Sequence, residues 1–288
     1  MMQRGDPAEG GIEVRKSDGQ REAYSREKLR RSLRWAGAGK AMAEEVLADV
    51  EPRLRDGITT GKLYRMARKA LQRRSRGTAI TYSLKRALID LGPSGFPFEQ
   101  FCGRLFEAMG YQVHYNRFVQ GRCVQHEIDI IAERDGARLF AECKFHNRAT
   151  YRNDVKLPLY LRARSVDLLV GEDGKHDAFW VLSNTTYSED ALAYADCEGL
   201  ILAGHNTDHY PLTRGLINEH GLHPLTCLNS LKVAQKRNLI DAGAVLCRDL
   251  LEKPRLLEPL RLDARQRERV RRECREILER GKVRRESA

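Results

Sequence analysis

Cys123-Val124-Gln125-His126-Glu127-Ile128-Asp129-Ile130-Ile131-Ala132 and Arg138-Leu139-Phe140-Ala141-Glu142-Cys143-Lys144-Phe145, with Asp135-Gly136 between them, decide the fold. Both runs alternate well enough for strands, and Asp-Gly between such runs is the strongest short-range hairpin signal. A two-residue loop at Asp135 and Gly136 pairs Arg134 with Ala137 and puts Asp129 opposite Glu142. Opposed residues on one face of a sheet have Cβ atoms about 4.5–5.5 Å apart. Lys144, two residues beyond Glu142, shares that face. Ile128, Ile130, Ala141 and Cys143 lie on the other, so one side of the hairpin reads as core and the other as charged.

Like charges directly opposite one another destabilise a sheet. A shared divalent cation removes that cost. Hard cations such as Mg2+ or Mn2+ take carboxylate oxygen, keep several waters and use one or two protein carboxylates together with substrate phosphate. A bound ion lowers the pKa of a coordinated water and offsets charge developing at phosphorus. The candidate catalytic residues are therefore Asp129, Glu142 and Lys144, the two acids as metal ligands and the lysine beside the attacking water. An ordinary surface cluster of Glu127, Glu142 and Lys144 is the competing reading. Glu127 faces Lys144 in this register and is expected to hold it by a cross-strand ion pair. His146 lies two residues beyond Lys144 on the same face, within reach of phosphate or solvent.

Asp, a turn, then Glu-x-Lys on the next strand resembles the PD-(D/E)xK nucleases, and the surrounding words are similar to their type IV restriction (Mrr-type) branch, over about Phe96 to Leu202. Phe98-Glu99-Gln100-Phe101 opens a helix ending at Met109-Gly110-Tyr111-Gln112-Val113, similar to the first helix and following strand of that family. Phe179-Trp180-Val181-Leu182-Ser183-Asn184, then Tyr187-Ser188-Glu189-Asp190-Ala191, resemble its later strand and helix, and Gly199-Leu200-Ile201-Leu202 its last strand. The resemblance implies that Glu99 adds a third acid to the metal site. Many Mrr-type members have Gln-x-Lys where this chain has Glu142-Cys143-Lys144. Lys156, on the next helix, is a candidate contact to the DNA backbone.

The amino-terminal third reads as a short hairpin over four helices. Ile12-Glu13-Val14-Arg15-Lys16, a turn at Ser17-Asp18-Gly19-Gln20, and Arg21-Glu22-Ala23-Tyr24 form the hairpin. Ser25 caps a helix from Arg26, a second covers about Ala41 to Arg55, Thr59-Thr60 start a third over Gly61 to Arg73, and a fourth spans Ala79 to Leu91. Val14-Arg15-Lys16-Ser17-Asp18-Gly19, Glu22, Lys28-Leu29, Ser32-Leu33, Ala36-Gly37, Asp56-Gly57-Ile58-Thr59-Thr60, Tyr82 and Arg86 together resemble an ATP cone, a regulatory nucleotide-binding module. The resemblance implies an ATP or dATP site at Lys16, Ser17, Glu22, Lys28, Thr60 and Arg86. Lysine charges and helix N-termini both suit a triphosphate. Ser17 stands where the family usually has a basic residue. No P-loop is present, so hydrolysis of the bound nucleotide is not expected.

The chain has 288 residues with a formal net charge of +11, which suits a polyanionic partner such as DNA. Eleven basic and six acidic residues fall between Arg261 and Ala288, a stretch that reads equally well as a solvated helix with Val270, Cys274, Ile277 and Leu278 as its apolar stripe. No apolar run is long enough for a membrane span or signal peptide, so a cytoplasmic protein is expected. Seven cysteines without a Cys-x-x-Cys pair read as reduced. His205, His209, His220 and His223 lack a cysteine pair and read as solvated loop residues rather than zinc ligands.

Gly92-Pro93-Ser94-Gly95-Phe96-Pro97 is the natural joint. The expected organisation is a tail at 1–10, an ATP cone at 11–92, an α/β endonuclease core at 98–212, a helical module at 213–255 with a helix-hairpin-helix-like turn at Gly243, and a basic helical tail at 256–288. The α+β cone ahead of an α/β restriction-endonuclease-like core implies a Mg2+-dependent DNA endonuclease under nucleotide control, homo-oligomerisation being left open. The alternative is a nucleotide-controlled DNA-binding protein that does not cut.

Overall fold

The computed structural model describes residues 11–16, 19–170 and 174–282, and the chain divides between Tyr82 and Ser83 into two compact units. In the first, β1 (Glu13–Arg15) pairs antiparallel with β2 (Arg21–Ala23). Ser25 caps α1 (Arg26–Trp35), its side chain accepting from the Lys28 N–H. Then comes α2 (Lys40–Val50), which buries Ala43, Val46, Leu47 and Val50, one helical stripe. It stops five residues short of the expected Arg55: Pro52 has no N–H to continue the helical bonds, and a 3-10 turn follows at Glu51–Arg53. β3 (Ile58–Thr59) joins β1 in parallel, and Thr59 caps α3 (Thr60–Arg74). α4 (Arg76–Ile89) carries the division between the units. Val14, Leu29, Leu33, Leu47 and Leu71 lie in one buried cluster beneath the small sheet.

The second unit is built on a mixed sheet. After α5 (Phe96–Ala108) come β4 (Gln112–Gln120), β5 (Gln125–Arg134) and β6 (Ala137–Lys144), an antiparallel meander. The turn between β5 and β6 is the expected one: Asp135 and Gly136 have φ of 52° and 82°, as a type I′ turn requires, and Arg134 pairs with Ala137. β7 (Arg152–Asn153) precedes α6 (Lys156–Val170). β8 (Ala178–Ser183) then lies parallel to β6, β9 (Thr186–Tyr187) pairs with β7, and α7 (Glu189–Glu198), capped by Ser188, leads to β10 (Ile201–Ala203), parallel to β8. The five-stranded order is β10-β8-β6-β5-β4.

Because β6, β8 and β10 run parallel, their connections carry helices back across the sheet, and both faces are covered. Leu161 and Leu168 of α6 and Ala191 and Ala195 of α7 pack with Ile131, Phe140, Phe179 and Val181. On the α5 side, Phe106 meets the Trp180 ring edge to face at 5.5 Å. The face bearing Asp129, Glu142 and Lys144 is thus not an exposed charged surface as the alternation suggests. α6 closes over it, and Glu142 is only 6% exposed.

Gly103 of α5 has no room for a methyl group. A Cβ there would lie 2.0 Å from the Tyr115 hydroxyl oxygen and 2.4 Å from two ring carbons. Gly103→Ala forces a rigid ring off β4, and overpacking of this kind costs about 1–3 kcal/mol. A lowered melting temperature in thermal unfolding is the expected readout.

Beyond β10, a π-helical turn (Leu212–Leu216) runs into α8 (Ile217–His220), followed by α9 (Val233–Asp241), α10 (Asp249–Glu252) and α11 (Ala264–Lys282). Gly243 has the left-handed φ of 81° its position suggests. The expected second helix after it, Val245 to Leu251, is a single four-residue turn, and Leu246 instead bridges to Pro224. Val270, Cys274 and Ile277 are the buried stripe of α11. No helix among the described residues is long and apolar enough to cross a membrane.

Candidate active site

Asp129 sits where β5 leaves both neighbours. The β5–β6 ladder runs from Arg134↔Ala137 to Ile130↔Ala141 and ends there. Antiparallel alternation would next bond Ile128 to Cys143. Instead, the Cys143 N–H donates to Asp129 Oδ2 at 2.7 Å. On the other side, the β4–β5 ladder skips Asn116 opposite Asp129, and Asn116 has φ of 49°. A left-handed residue inside a strand costs roughly 1–3 kcal/mol and persists only where its surroundings hold it. Asn116 is one that tolerates this conformation, and its side-chain amide lies near Glu99 and works against the rise in that acid's pKa.

The electrostatics are those of crowded acids. Asp129 has its pKa pushed up to about 7, first by burial and then by the neighbouring Glu142 carboxylate, against the opposing pull of the Cys143 N–H. Glu99 is also raised, by burial and then by Glu127 and Glu142. Glu142 is held from two sides: Lys144 Nζ lies 2.6 Å from Oε1 and Arg164 Nη1 lies 2.7 Å from Oε2. Lys144 therefore pairs with Glu142 and not with Glu127 as the extrapolated register suggests. The ladder that would bring Glu127 opposite Lys144 has already ended. Arg164 was not expected from the motif. Its signal was nonetheless present, because Leu161, Arg164, Ser165 and Leu168 form one buried stripe of α6, and an arginine on such a stripe needs a buried acid.

His146 is turned into a polar network. Its Nε2 bonds Asn153 Oδ1 at 2.8 Å, its ring stacks on Tyr151 at 3.7 Å, and its backbone is bracketed by the Asn184 amide. Asn153 also donates to Ser183 and Thr185. The segment leaving Lys144 is thereby pinned. His126 bonds Asp167 at 2.8 Å and fastens the β4–β5 turn to α6. Lys156 is exposed at the start of α6. No three His, Cys, Asp or Glu side chains among the described residues form a group able to hold a metal ion. Glu99 shares the field of Asp129 and Glu142. His205 and His223 are buried rather than solvated, and burial pushes their pKa values down to about 3 and about 4. All seven cysteines are free thiols.

In the first unit, a cavity of about 180 Å³ opens between the hairpin and α1, lined by residues including Glu22, Lys28, Ser32, Thr60, Tyr64 and Tyr82. Glu22 accepts from Lys16 at 2.9 Å and Lys28 at 3.1 Å, and these two bonds hold its carboxyl below the usual range. The Tyr64 and Tyr82 rings stack at 5.2 Å. Arg86, in the second unit and not among the residues lining this cavity, pairs with Asp90 one turn along α4. Ser17 lies outside the described residues.

Family comparison assigns these parts. Residues 12–88 match the ATP cone domain and residues 93–207 the restriction endonuclease catalytic family. Residues 223–278 match the C-terminal domain of AF1548-like proteins. The class is thus a restriction-endonuclease-like nuclease with a nucleotide-binding domain. An uncharacterized protein of Archaeoglobus fulgidus is 40% identical over 151 residues, 51% of this chain and 82% of that protein. The chain belongs to the family of this archaeal protein, with an ATP cone, a restriction-endonuclease domain and an AF1548-like carboxy-terminal domain in that order. The crystal structure of AF1548, a protein of unknown function, aligns with a TM-score of 0.52 at 33% identity, covering 65% of this chain and 99% of that one. A looser alignment, to Can2 from Sulfobacillus thermosulfidooxidans in complex with cyclic tetra-adenylate, has a TM-score of 0.31 at 13% identity over 62% of this chain and 51% of that one, and bears on nothing further.

Proposed function

We propose that this protein is a Mg2+- or Mn2+-dependent DNA endonuclease of PD-(D/E)xK type, regulated by ATP or dATP at its cone. The observation that carries the reading is that Asp129 stands close enough to Glu142 for that carboxylate to raise its pKa. Burial first, and then the Glu142 carboxylate, make Asp129 costly to ionise and push its pKa up to about 7. Hard carboxylate oxygens without cysteine or histidine suit Mg2+, which often takes only one or two protein carboxylates and fills its shell with water and substrate phosphate. The donor set fits. The ion, when bound, supplies an acidic water and a positive charge beside the phosphorus.

The side chains divide the remaining work. Asp129 offers Oδ1 while the Cys143 N–H fixes Oδ2. Glu142 offers Oε1 once Lys144 releases it. Lys144, 32% exposed at its side chain, can turn from Glu142 to orient the attacking water or to meet the phosphate. Glu99 is the third acid of the site, near Asn116. Lys156 and the positive excess of the chain serve the DNA backbone. At the cone, Lys16, Lys28 and the α3 start at Thr60 take the phosphates, with Ser17, Glu22 and Arg86 completing the nucleotide set. The cytoplasm, where thiols stay reduced, is the matching compartment.

The test incubates the full chain with methylated and unmethylated plasmid, with Mg2+, Mn2+ or EDTA, and with or without ATP or dATP. Cleavage is expected only with metal. Lys144→Ala should lower the rate by at least ~100-fold, the range of a positioned proton-transfer or charge-stabilising group. Cutting that survives EDTA would falsify the assignment, and shifted DNA mobility without any cutting would point to a nucleotide-controlled binding protein.

A further inference from the structure

Among the described residues, Arg164 is the one strongly buried cation that the nuclease reading leaves without a task. Its side chain is 7% exposed, on the stripe of α6 that otherwise carries Leu161, Ser165 and Leu168. A guanidinium does not shed its proton in a protein, so burying one entails a permanent charge in the core. The charge is met by Glu142, whose Oε2 takes the Arg164 Nη1 donor at 2.7 Å. The Arg164 Nε is buried and bonds no protein acceptor.

The two cations on Glu142 are not equivalent. Lys144 is a flexible point charge whose side chain is about one-third exposed, with water at hand to replace a lost partner. Arg164 is planar, packed among the α6 core residues and almost wholly out of water. An incoming divalent ion can therefore displace Lys144 from Oε1, whereas displacing Arg164 from Oε2 would leave an unpaired buried charge. Only one oxygen of Glu142 is free to ligate.

From this asymmetry, and resting on the nuclease reading above, we propose that Arg164 is a positioning residue that holds Glu142 to one-oxygen ligation and so selects Mg2+ and Mn2+ over Ca2+. Calcium takes six to eight oxygens and readily uses a carboxylate through both, while magnesium needs a near-ideal octahedron of single oxygens. Occupying Oε2 denies calcium a bidentate acid and leaves the octahedral ion unaffected. The selection comes from a residue that never touches the ion, the phosphate or the water.

The experiment measures Mg2+, Mn2+ and Ca2+ binding to the full chain by titration calorimetry, for wild type, Arg164→Met and Arg164→Lys, with Asp129→Asn as the control for ions bound elsewhere. Methionine matches the length and apolar packing of the arginine stem. The expected result is a rise of at least ~10-fold in Ca2+ affinity relative to Mg2+ in Arg164→Met, the low end of what groups behind metal ligands contribute. Cleavage in Mg2+ should fall in kcat with little change in KM for DNA. Arg164→Lys keeps a charge on Oε2 and should retain the wild-type preference, which rescues the proposal if the methionine variant does not fold. A Ca2+-to-Mg2+ ratio unchanged in folded Arg164→Met, or a ratio that shifts fully in Arg164→Lys, overturns the proposal and leaves the nuclease site standing. Wild-type ion binding indistinguishable from that of Asp129→Asn overturns the site itself.

Discussion

Asp129→Asn is expected to make the metal-free protein more stable at pH 8 while abolishing its cleavage of DNA. Asparagine keeps an oxygen to accept the Cys143 N–H, so the local bond at 2.7 Å is preserved. What disappears is the negative charge. The Asp129 carboxyl is raised from 3.8 to about 7 in the folded chain, so folding favours its protonated form. The resulting penalty is absent below the unfolded value near 4, grows as pH rises from there to about 7, and is complete above that. At ~1.4 kcal/mol per pH unit, its ceiling is about 4 kcal/mol. The variant should therefore gain a few kcal/mol over wild type at pH 8, and the gain should shrink toward pH 5.

Metal reverses the ranking. Mg2+ offsets the repulsion only where the acid exists, so it should raise the melting temperature of the wild type at pH 8 and leave that of Asp129→Asn unchanged. If Asp129 is the ligand proposed above, its removal should cost the cleavage rate more than the ~10–100-fold associated with groups behind the ligands. Denaturant unfolding at both pH values, with and without Mg2+, beside a plasmid assay, supplies the readouts. A variant no more stable than wild type at pH 8 would show that Asp129 is ionised without strain, and the crowding on which the metal site rests would be absent.

The hairpin and its acids were legible because short-range rules govern them. Asp135-Gly136 specifies the turn, the turn sets the register, and the register puts Asp129, Glu142 and Lys144 on one side. Capping by Ser25 and Thr59 was equally local. The ladder's end at Ile130↔Ala141 was not legible, since it depends on Asp129 using its side chain where backbone pairing would continue. An extrapolated register therefore gave Lys144 the wrong partner. The cover of α6 over the charged face was missed for a related reason: a period of two describes a strand's faces but not what a parallel crossover lays on them. Asn116, with its positive φ, is a polar interruption in the strand His114-Tyr115-Asn116-Arg117-Phe118, and only a ladder failing on both sides of Asp129 gives it meaning. Arg164 lay in plain view on an apolar stripe, yet naming its partner required the fold.

Lys28→Ala should uncouple the nuclease from nucleotide. Glu22 bridges Lys16 and Lys28 at 2.9 and 3.1 Å, so in the nucleotide-free protein a carboxylate stands where a phosphate would seek the same two ammonium groups. All three groups are at least one-quarter exposed, and the bridge itself is worth little to stability. Losing one charge-assisted bond to a phosphate costs about 1.5–3 kcal/mol, which corresponds to roughly 10–100-fold weaker ATP binding in Lys28→Ala. Glu22→Gln should act in the opposite sense at low salt, because it removes the competing anion and a repulsion against the triphosphate. Both effects should fade as salt screens them. Calorimetry with ATP and dATP reads the affinities, and plasmid cleavage with and without nucleotide reads the coupling. Basal cutting and the Mg2+-induced rise in melting temperature should be unchanged in Lys28→Ala, since the acids at 129 and 142 belong to the other unit. Unaltered ATP affinity in both variants would show that the hairpin lysines pair with Glu22 for its own sake, and the regulatory site would have to be sought elsewhere.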